Sequence, residues 1–228
     1  MIKAIVFDKD GTLLEFSDIW TRGCYKLYER LKLSSDQIYT IKNQIGIGDD
    51  DVVIENSILA AGTISDLANL LGKYTDEVDL DQYIEDCFVE TIDDDPSAVR
   101  PTTDLIKLFN FLENESIKII VSTSDNLRVA RKMFAILDLD NYIDYILAAD
   151  YFPAKPDTSS LDFIMDKYNL SANDLIMVGD SMVDMQYAKN LRARIGVICG
   201  TGTYQMLEKY ADKLIADPLE LINIINNI

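Results

Sequence analysis

Histidine is absent from this 228-residue sequence, and its three cysteines lie far apart with no CxxC pair. Without histidine there is no Ser-His-Asp triad, no Cys-His pair, no phosphohistidine and no His-ligated zinc. Any general acid or base must be a carboxylate, lysine, tyrosine or cysteine. Positive charge is also scarce, with 21 Lys and Arg against 39 Asp and Glu and a net charge of −18. A surface so poor in cations does not displace counterions from phosphates, so no nucleic-acid partner is expected. A small anionic substrate remains compatible, because a bound divalent cation reverses the local sign. No uncharged apolar stretch approaches the ~18 residues needed to span a bilayer. The start, Met1-Ile2-Lys3, lacks a signal-peptide layout. A cytoplasmic protein with no membrane partner is expected. Cys24, Cys87 and Cys199, odd in number, then read as thiols in a reducing compartment.

What the sequence does have is apolar residues, at 48% of the chain, and they are grouped. The length suits one large or two small domains with a real core. Ala4 to Phe7, Ile117 to Val121, Tyr145 to Ala148, Leu175 to Val178 and Ile195 to Ile198 are short β-rich runs. Continuous apolar runs of this kind belong to strands buried on both faces of a parallel sheet. Helix-length segments lie between them, including Leu127 to Leu137 and Ser160 to Tyr168. The alternation predicts an α/β fold with helices on both sides of the sheet.

One interval departs from that rhythm. Thr12 and Thr123 are 111 positions apart, whereas Thr123 and Lys155 are 32 apart and Lys155 and Asp180 are 25 apart. A strand-helix-strand unit takes roughly 30 residues, so roughly 80 are surplus in the first interval. The surplus reads as helical. Ile19, Cys24, Leu27, Tyr28 and Leu31 fall near one helical face, and Ile84, Phe88 and Ile92 recur every four residues. Ser34 and Gln37 form a candidate capping box. Residues 16–93 are therefore expected to be an inserted helical domain, with 1–15 and 94–228 forming the core. Asp93 to Asp95 reads as a solvated linker at its edge, and Asp49 to Asp51 as the acidic first turn of a helix.

The chemistry concentrates at strand ends. Ala4-Ile5-Val6-Phe7-Asp8-Lys9-Asp10-Gly11-Thr12 ends a strand with two acids two residues apart, then a glycine that lets the chain turn. In an open α/β sheet, sites form at the carboxyl ends of strands. Alone, an Asp-x-Asp-Gly string is equally an acidic turn. Three further strand ends carry polar groups: Ser122-Thr123-Ser124-Asp125, Ala154-Lys155-Pro156-Asp157 and Gly179-Asp180-Ser181-Met182-Val183-Asp184. Taken singly, Thr123 is a helix cap, Lys155 a surface lysine and Asp184 a solvated acid. Together they put four polar signals on one edge of the sheet.

In order and spacing these segments resemble the four motifs of the haloacid dehalogenase superfamily, close to its phosphoglycolate phosphatase-like branch. The resemblance covers essentially the whole chain and is weakest within residues 16–93. It implies a Rossmann-like doubly wound parallel sheet core, with the inserted helices at the position of that family's cap. It also implies a phosphatase acting on a small phosphorylated metabolite through an aspartyl-phosphate. Asp8 would be the nucleophile, being a carboxylate already ionised at pH 7 that needs no activating base. Asp10 would protonate the leaving group and later deprotonate water. Asp8, Asp180, Asp184 and the backbone carbonyl of Asp10 would offer hard oxygen ligands to Mg²⁺. Lys155 and the Thr123 hydroxyl would hold the phosphoryl oxygens, with Gly11, Thr12 and Ser124 beside the substrate.

Asp10 favours phosphoryl over carbon–halogen chemistry, since the dehalogenases of the superfamily lack that second acid. A β-phosphoglucomutase-like hexose-phosphate mutase is the near alternative, because such mutases share all four motifs. A two-component receiver domain uses a similar residue set but is about half this length and needs no 80-residue insert. A regulatory binding protein without turnover is a third alternative, although every catalytic position is intact. Substrate choice is expected to lie in the insert. Asn43 and Gly46-Ile47-Gly48 form a candidate loop facing Asp8, while Trp20, Tyr25 and Tyr28 read as interface packing. Arg22, Lys26, Lys42 and Lys73 are scattered without forming a clear second anion site.

Overall fold

The computed structural model describes residues 1–54, 57–200 and 202–228. After strand β1 (Ala4–Asp8) come helices α1 (Ile19–Arg30), α2 (Ser35–Ile45), α3 (Ile58–Ala61), α4 (Ile64–Leu71) and α5 (Leu80–Asp94). The chain then alternates: α6 (Leu105–Asn114), β2 (Lys118–Ser122), α7 (Leu127–Ile136), β3 (Tyr145–Leu147), α8 (Ser159–Tyr168) and β4 (Leu175–Gly179). It ends with α9 (Met182–Tyr187), β5 (Ala193–Val197), α10 (Tyr204–Leu207), β6 (Lys213–Ile215) and α11 (Leu221–Ile224).

The six strands form one parallel sheet in the order β3-β2-β1-β4-β5-β6. β1 has neighbours on both sides, and Ala4, Ile5, Val6 and Phe7 are fully buried. Period-2 alternation divides these residues between two cores. Ile5 and Phe7 join the larger one with residues of α6, α7 and α11, while Ala4 and Val6 join a smaller one with Leu161, Ile164 and Tyr187. Helices therefore cover both faces. β6 went unread in the sequence, since Lys213-Leu214-Ile215 is too short to show a pattern.

The larger core is continuous with the helical segment, running through Ile19, Trp20, Leu27, Ile84, Phe88 and Ile92. α1 and α5 approach closely at Gly23, where a Cβ would collide with the Phe88 ring. The Ser34–Gln37 capping box forms as expected. The two chain crossings into and out of the segment run side by side: Leu14 pairs antiparallel with Pro101, and Glu15 N–H donates to Arg100 O over 2.9 Å.

Two expectations fail here. Asp49 to Asp51 does not begin a helix. Gly46 ends α2 with φ +85°, and the chain folds back so that Ile47 bridges Val53. Asp51 takes φ +60° in that turn, a conformation aspartate tolerates, and accepts from Lys42 Nζ at 2.7 Å. Asp93 and Asp94 are not linker but the last turn of α5, where Lys132 and Lys26 pair with them.

Candidate active site

The register of the sheet sets the site. Asp8 lies opposite Ser122, and Phe7 opposite Val178, so the ends of β1, β2 and β4 are level. The chain turns at once after Asp8, with the amides of Leu13 and Leu14 both donating to Lys9 O at 2.9 Å. Gly11 makes this possible with φ +81°, and its missing Cβ leaves room for the Asp180 carboxylate. Thr12 is fully buried, its hydroxyl 3.5 Å from Asp180 Oδ1.

Three acids meet at this edge. Carboxylate oxygens of Asp8, Asp180 and Asp184 all lie within 4.8 Å of one another. Ser181 caps α9 and fixes Asp184 in a reciprocal box, with the Ser181 hydroxyl donating to Asp184 Oδ2 at 2.6 Å. Lys155 supplies the countercharge. It donates to Asp8 Oδ1 at 2.6 Å, Asp184 Oδ1 at 2.7 Å and Ser122 O at 3.2 Å, which uses all three ammonium hydrogens. Burial pushes the Asp8 carboxyl well above its usual range. Lys155 opposes that, while Asp184 and Asp180 add to it. Burial likewise works to depress the Lys155 ammonium, but Asp184 and Asp8 hold it above the ordinary lysine range.

Asp10 sits apart from this cluster. Its two carboxylate oxygens take Lys9 Nζ at 2.7 and 2.6 Å. Lys9 is fully buried and also meets Asp125 at 2.9 Å, the Met133 sulfur at 3.3 Å and the Trp20 ring at 5.2 Å. Burial raises the Asp10 carboxyl to about 6, with Lys9 pulling down and Asp125 pushing up. Lys9 and Asp125 were not read as site residues in the sequence; the signal available was a lysine flanked by two acids.

The remaining expected residues divide. Thr123 is buried and lines the cavity over Asp8, its hydroxyl accepting the Asp125 amide at 3.1 Å. Its own N–H is committed to Leu147 O at 3.0 Å. Ser124 also lines the cavity and donates to Ala61 O at 3.2 Å, tying β2's end to the helical segment. The residues of that segment over Asp8 are Phe16, Ala60 and Ala61. Gly46-Ile47-Gly48 does not line this cavity; those residues are spent in the turn that ends α2, and the Asn43 side chain bonds to Tyr39 O. Trp20 packs edge-on to Phe88, both buried, whereas Tyr25, edge-on to the buried Tyr28, is exposed and donates its hydroxyl to Asp51.

A donor set of three carboxylates, all oxygen and shielded from water, suits a hard divalent cation, whose charge would offset the surplus acid. The fold and the sequence agree on the class. A model of the haloacid dehalogenase-like hydrolases matches residues 2–192, and the chain belongs to that family of enzymes. Among its relatives, a phosphoglycolate phosphatase of Vibrio parahaemolyticus is 25% identical over 228 residues, covering 98% of this chain and 96% of its own. A Clostridium perfringens protein provisionally named as a pyrophosphatase is 25% identical over 237 residues, covering 100% and 99%. Among solved structures, one from Thermotoga maritima provisionally named as a β-phosphoglucomutase superposes with TM-score 0.67 at 18% identity over the full length of both chains. Among the described residues, no helix is long and apolar enough to cross a membrane.

Proposed function

We propose that this enzyme is a Mg²⁺-dependent phosphatase that hydrolyses a small phosphomonoester through an aspartyl-phosphate on Asp8. One observation carries the reading: Asp8, Asp180 and Asp184 converge within 4.8 Å, with Lys155 bridging the first and last. In the first half-reaction Asp8 attacks phosphorus, the bond to the alcohol oxygen breaks, and Asp10 gives that oxygen its proton. In the second, water attacks phosphorus and loses a proton to Asp10, the acyl-phosphate bond breaks, and phosphate leaves. Lys155 and the Thr123 hydroxyl hold the phosphoryl oxygens. Asp8, Asp180 and Asp184, with the Asp10 carbonyl, would hold the metal, whose charge offsets attack of one anion on another.

The proposal extends to organisation: residues 1–15 and 94–228 act as the catalytic core and 16–93 as a cap over it. A cap that closes on substrate would keep water out during the first transfer. Phosphate release from a panel of small phosphomonoesters tests the reading. Turnover is expected with Mg²⁺, to be lost in EDTA and restored by added metal. Undiminished turnover after complete chelation would overturn the metal role. Isomerisation of hexose phosphates without phosphate release would favour the mutase alternative instead.

A further inference from the structure

The cavity over Asp8, about 70 Å³, continues into a second of about 50 Å³, the two sharing Asp10, Phe16, Ala60 and Ser124. On the phosphatase reading, an alcohol leaving past Asp10 would enter this second chamber. Most of its wall is apolar: Trp20, Leu59, Ile64, Leu67 and Phe88. Its polar side is Asp10, Asp125, Thr63 and Ser124, the two carboxyl groups sharing the single ammonium of Lys9. With Asp10 carrying the proton it gives the leaving group, Asp125 and Lys9 balance, so the chamber holds no surplus positive charge for an anion.

The cations of the helical segment are committed elsewhere. Arg22 pairs with Asp18 and Asp95, Lys26 with Glu90 and Asp94, Arg30 with Glu90, and Lys42 with Asp51. Lys32 and Lys73 are exposed. Among the described residues, Lys155 is the only cation lining either chamber, and it already serves Asp8 and Asp184. The residues outside that set, Glu55, Asn56 and Thr201, include no cation. A carboxylate or second phosphate placed in the apolar chamber would lose its water and gain no countercharge.

We infer, resting on the phosphatase reading, that the leaving alcohol is small, uncharged and largely apolar, and that phosphoglycolate and pyrophosphate are poor substrates. The relatives named for those compounds thus differ from this chain in leaving-group specificity. Trp20, Leu59 and Phe88 set that preference by excluding a solvated anion.

The test is a matched pair, propyl phosphate and phosphoglycolate, which place a methyl-bearing or a carboxylate-bearing group in the same chamber. With Mg²⁺, kcat/KM is expected to favour propyl phosphate by ~10-fold or more, a tenfold ratio being about 1.4 kcal/mol. Leu59→Lys should move the ratio toward phosphoglycolate by a similar factor, its stem lying along the apolar wall and its ammonium meeting the carboxylate. Phosphoglycolate turned over as well as or better than propyl phosphate by the unaltered enzyme overturns the inference, as does an unmoved ratio in Leu59→Lys. p-Nitrophenyl phosphate separates the two levels. If none of the three esters is hydrolysed, the phosphatase reading itself fails. If p-nitrophenyl phosphate is hydrolysed and phosphoglycolate leads the pair, only the leaving-group inference fails.

Discussion

Lys155 and Lys9 are each held between two aspartates within the same site, yet their surroundings give them different work. Lys155 lines the cavity over Asp8 and reaches Asp8, Asp184 and the Ser122 carbonyl, all groups of the sheet edge. Lys9 lies behind Asp10, out of the cavity, and touches Asp125, Met133 of α7 and Trp20 of α1. Burial penalises both ammoniums, and in both the paired acids win, so each stays charged above the ordinary lysine range. The difference separates a cluster placed for chemistry from one that holds parts together. In the proposed mechanism the Lys155 cluster faces the phosphoryl group. The Lys9 cluster orients the candidate acid and joins the sheet edge to the helical segment.

The comparison can be broken most severely at Asp8. Asp8→Asn removes the proposed nucleophile and should reduce phosphate release to background, while the far-ultraviolet circular dichroism and unfolding transition stay those of a folded protein. Retained turnover in that variant would mean the first cluster is not where the bond is made.

Asp10→Asn should come next and should depend on the leaving group. Alkyl phosphates, whose alkoxides need a proton, are expected to lose roughly 10²–10⁴-fold in kcat/KM. p-Nitrophenyl phosphate, whose phenolate leaves unprotonated, should lose much less. Equal losses for both esters would remove Asp10 from the acid role.

Lys9→Met tests the second cluster through stability. Removing one partner of a buried ion pair leaves charge uncompensated and costs about 3–5 kcal/mol. The penalty depends on Asp10 being ionised in the folded variant, where burial without Lys9 raises its pKa above the unfolded range. Below the unfolded pKa of ~3.9 both states bind the protons and the penalty vanishes. It grows as pH rises from there and is full once pH exceeds the folded value, about 6 for Asp10 even with Lys9 present. Urea unfolding at pH 7 and near pH 4 should show a large deficit and then a small one; equal deficits would contradict the ion-pair account.

The two clusters also differ in how readily the sequence reveals them. Asp8, Thr123, Lys155 and Asp180 follow apolar runs whose parallel pairing requires both faces to be buried, so their common edge could be deduced from spacing. Lys9 could not. Its inward direction depends on the turn through Gly11 and on α1 and α7 arriving from elsewhere in the chain. The same limit applies to the residues over the cavity. Gly46-Ile47-Gly48 has a flexible composition, but its glycine serves the end of α2. Ala60 and Ala61 sit on a four-residue helix too short to show a period, and packing alone brings it above Asp8. The acidic run at Asp49 to Asp51 suited a helix start on charge grounds, until the turn and the Lys42 pair claimed it.

The central claim is a covalent phosphoryl group on Asp8. The most direct measurement is to quench the enzyme in acid during turnover of p-nitrophenyl phosphate with Mg²⁺, digest it, and locate the added phosphoryl mass by peptide sequencing. The expected result is a modification on the peptide that carries Asp8, assigned to that residue and absent from Asp8→Asn. A phosphoryl group on any other residue, or rapid turnover of Asp8→Asn, would contradict the account.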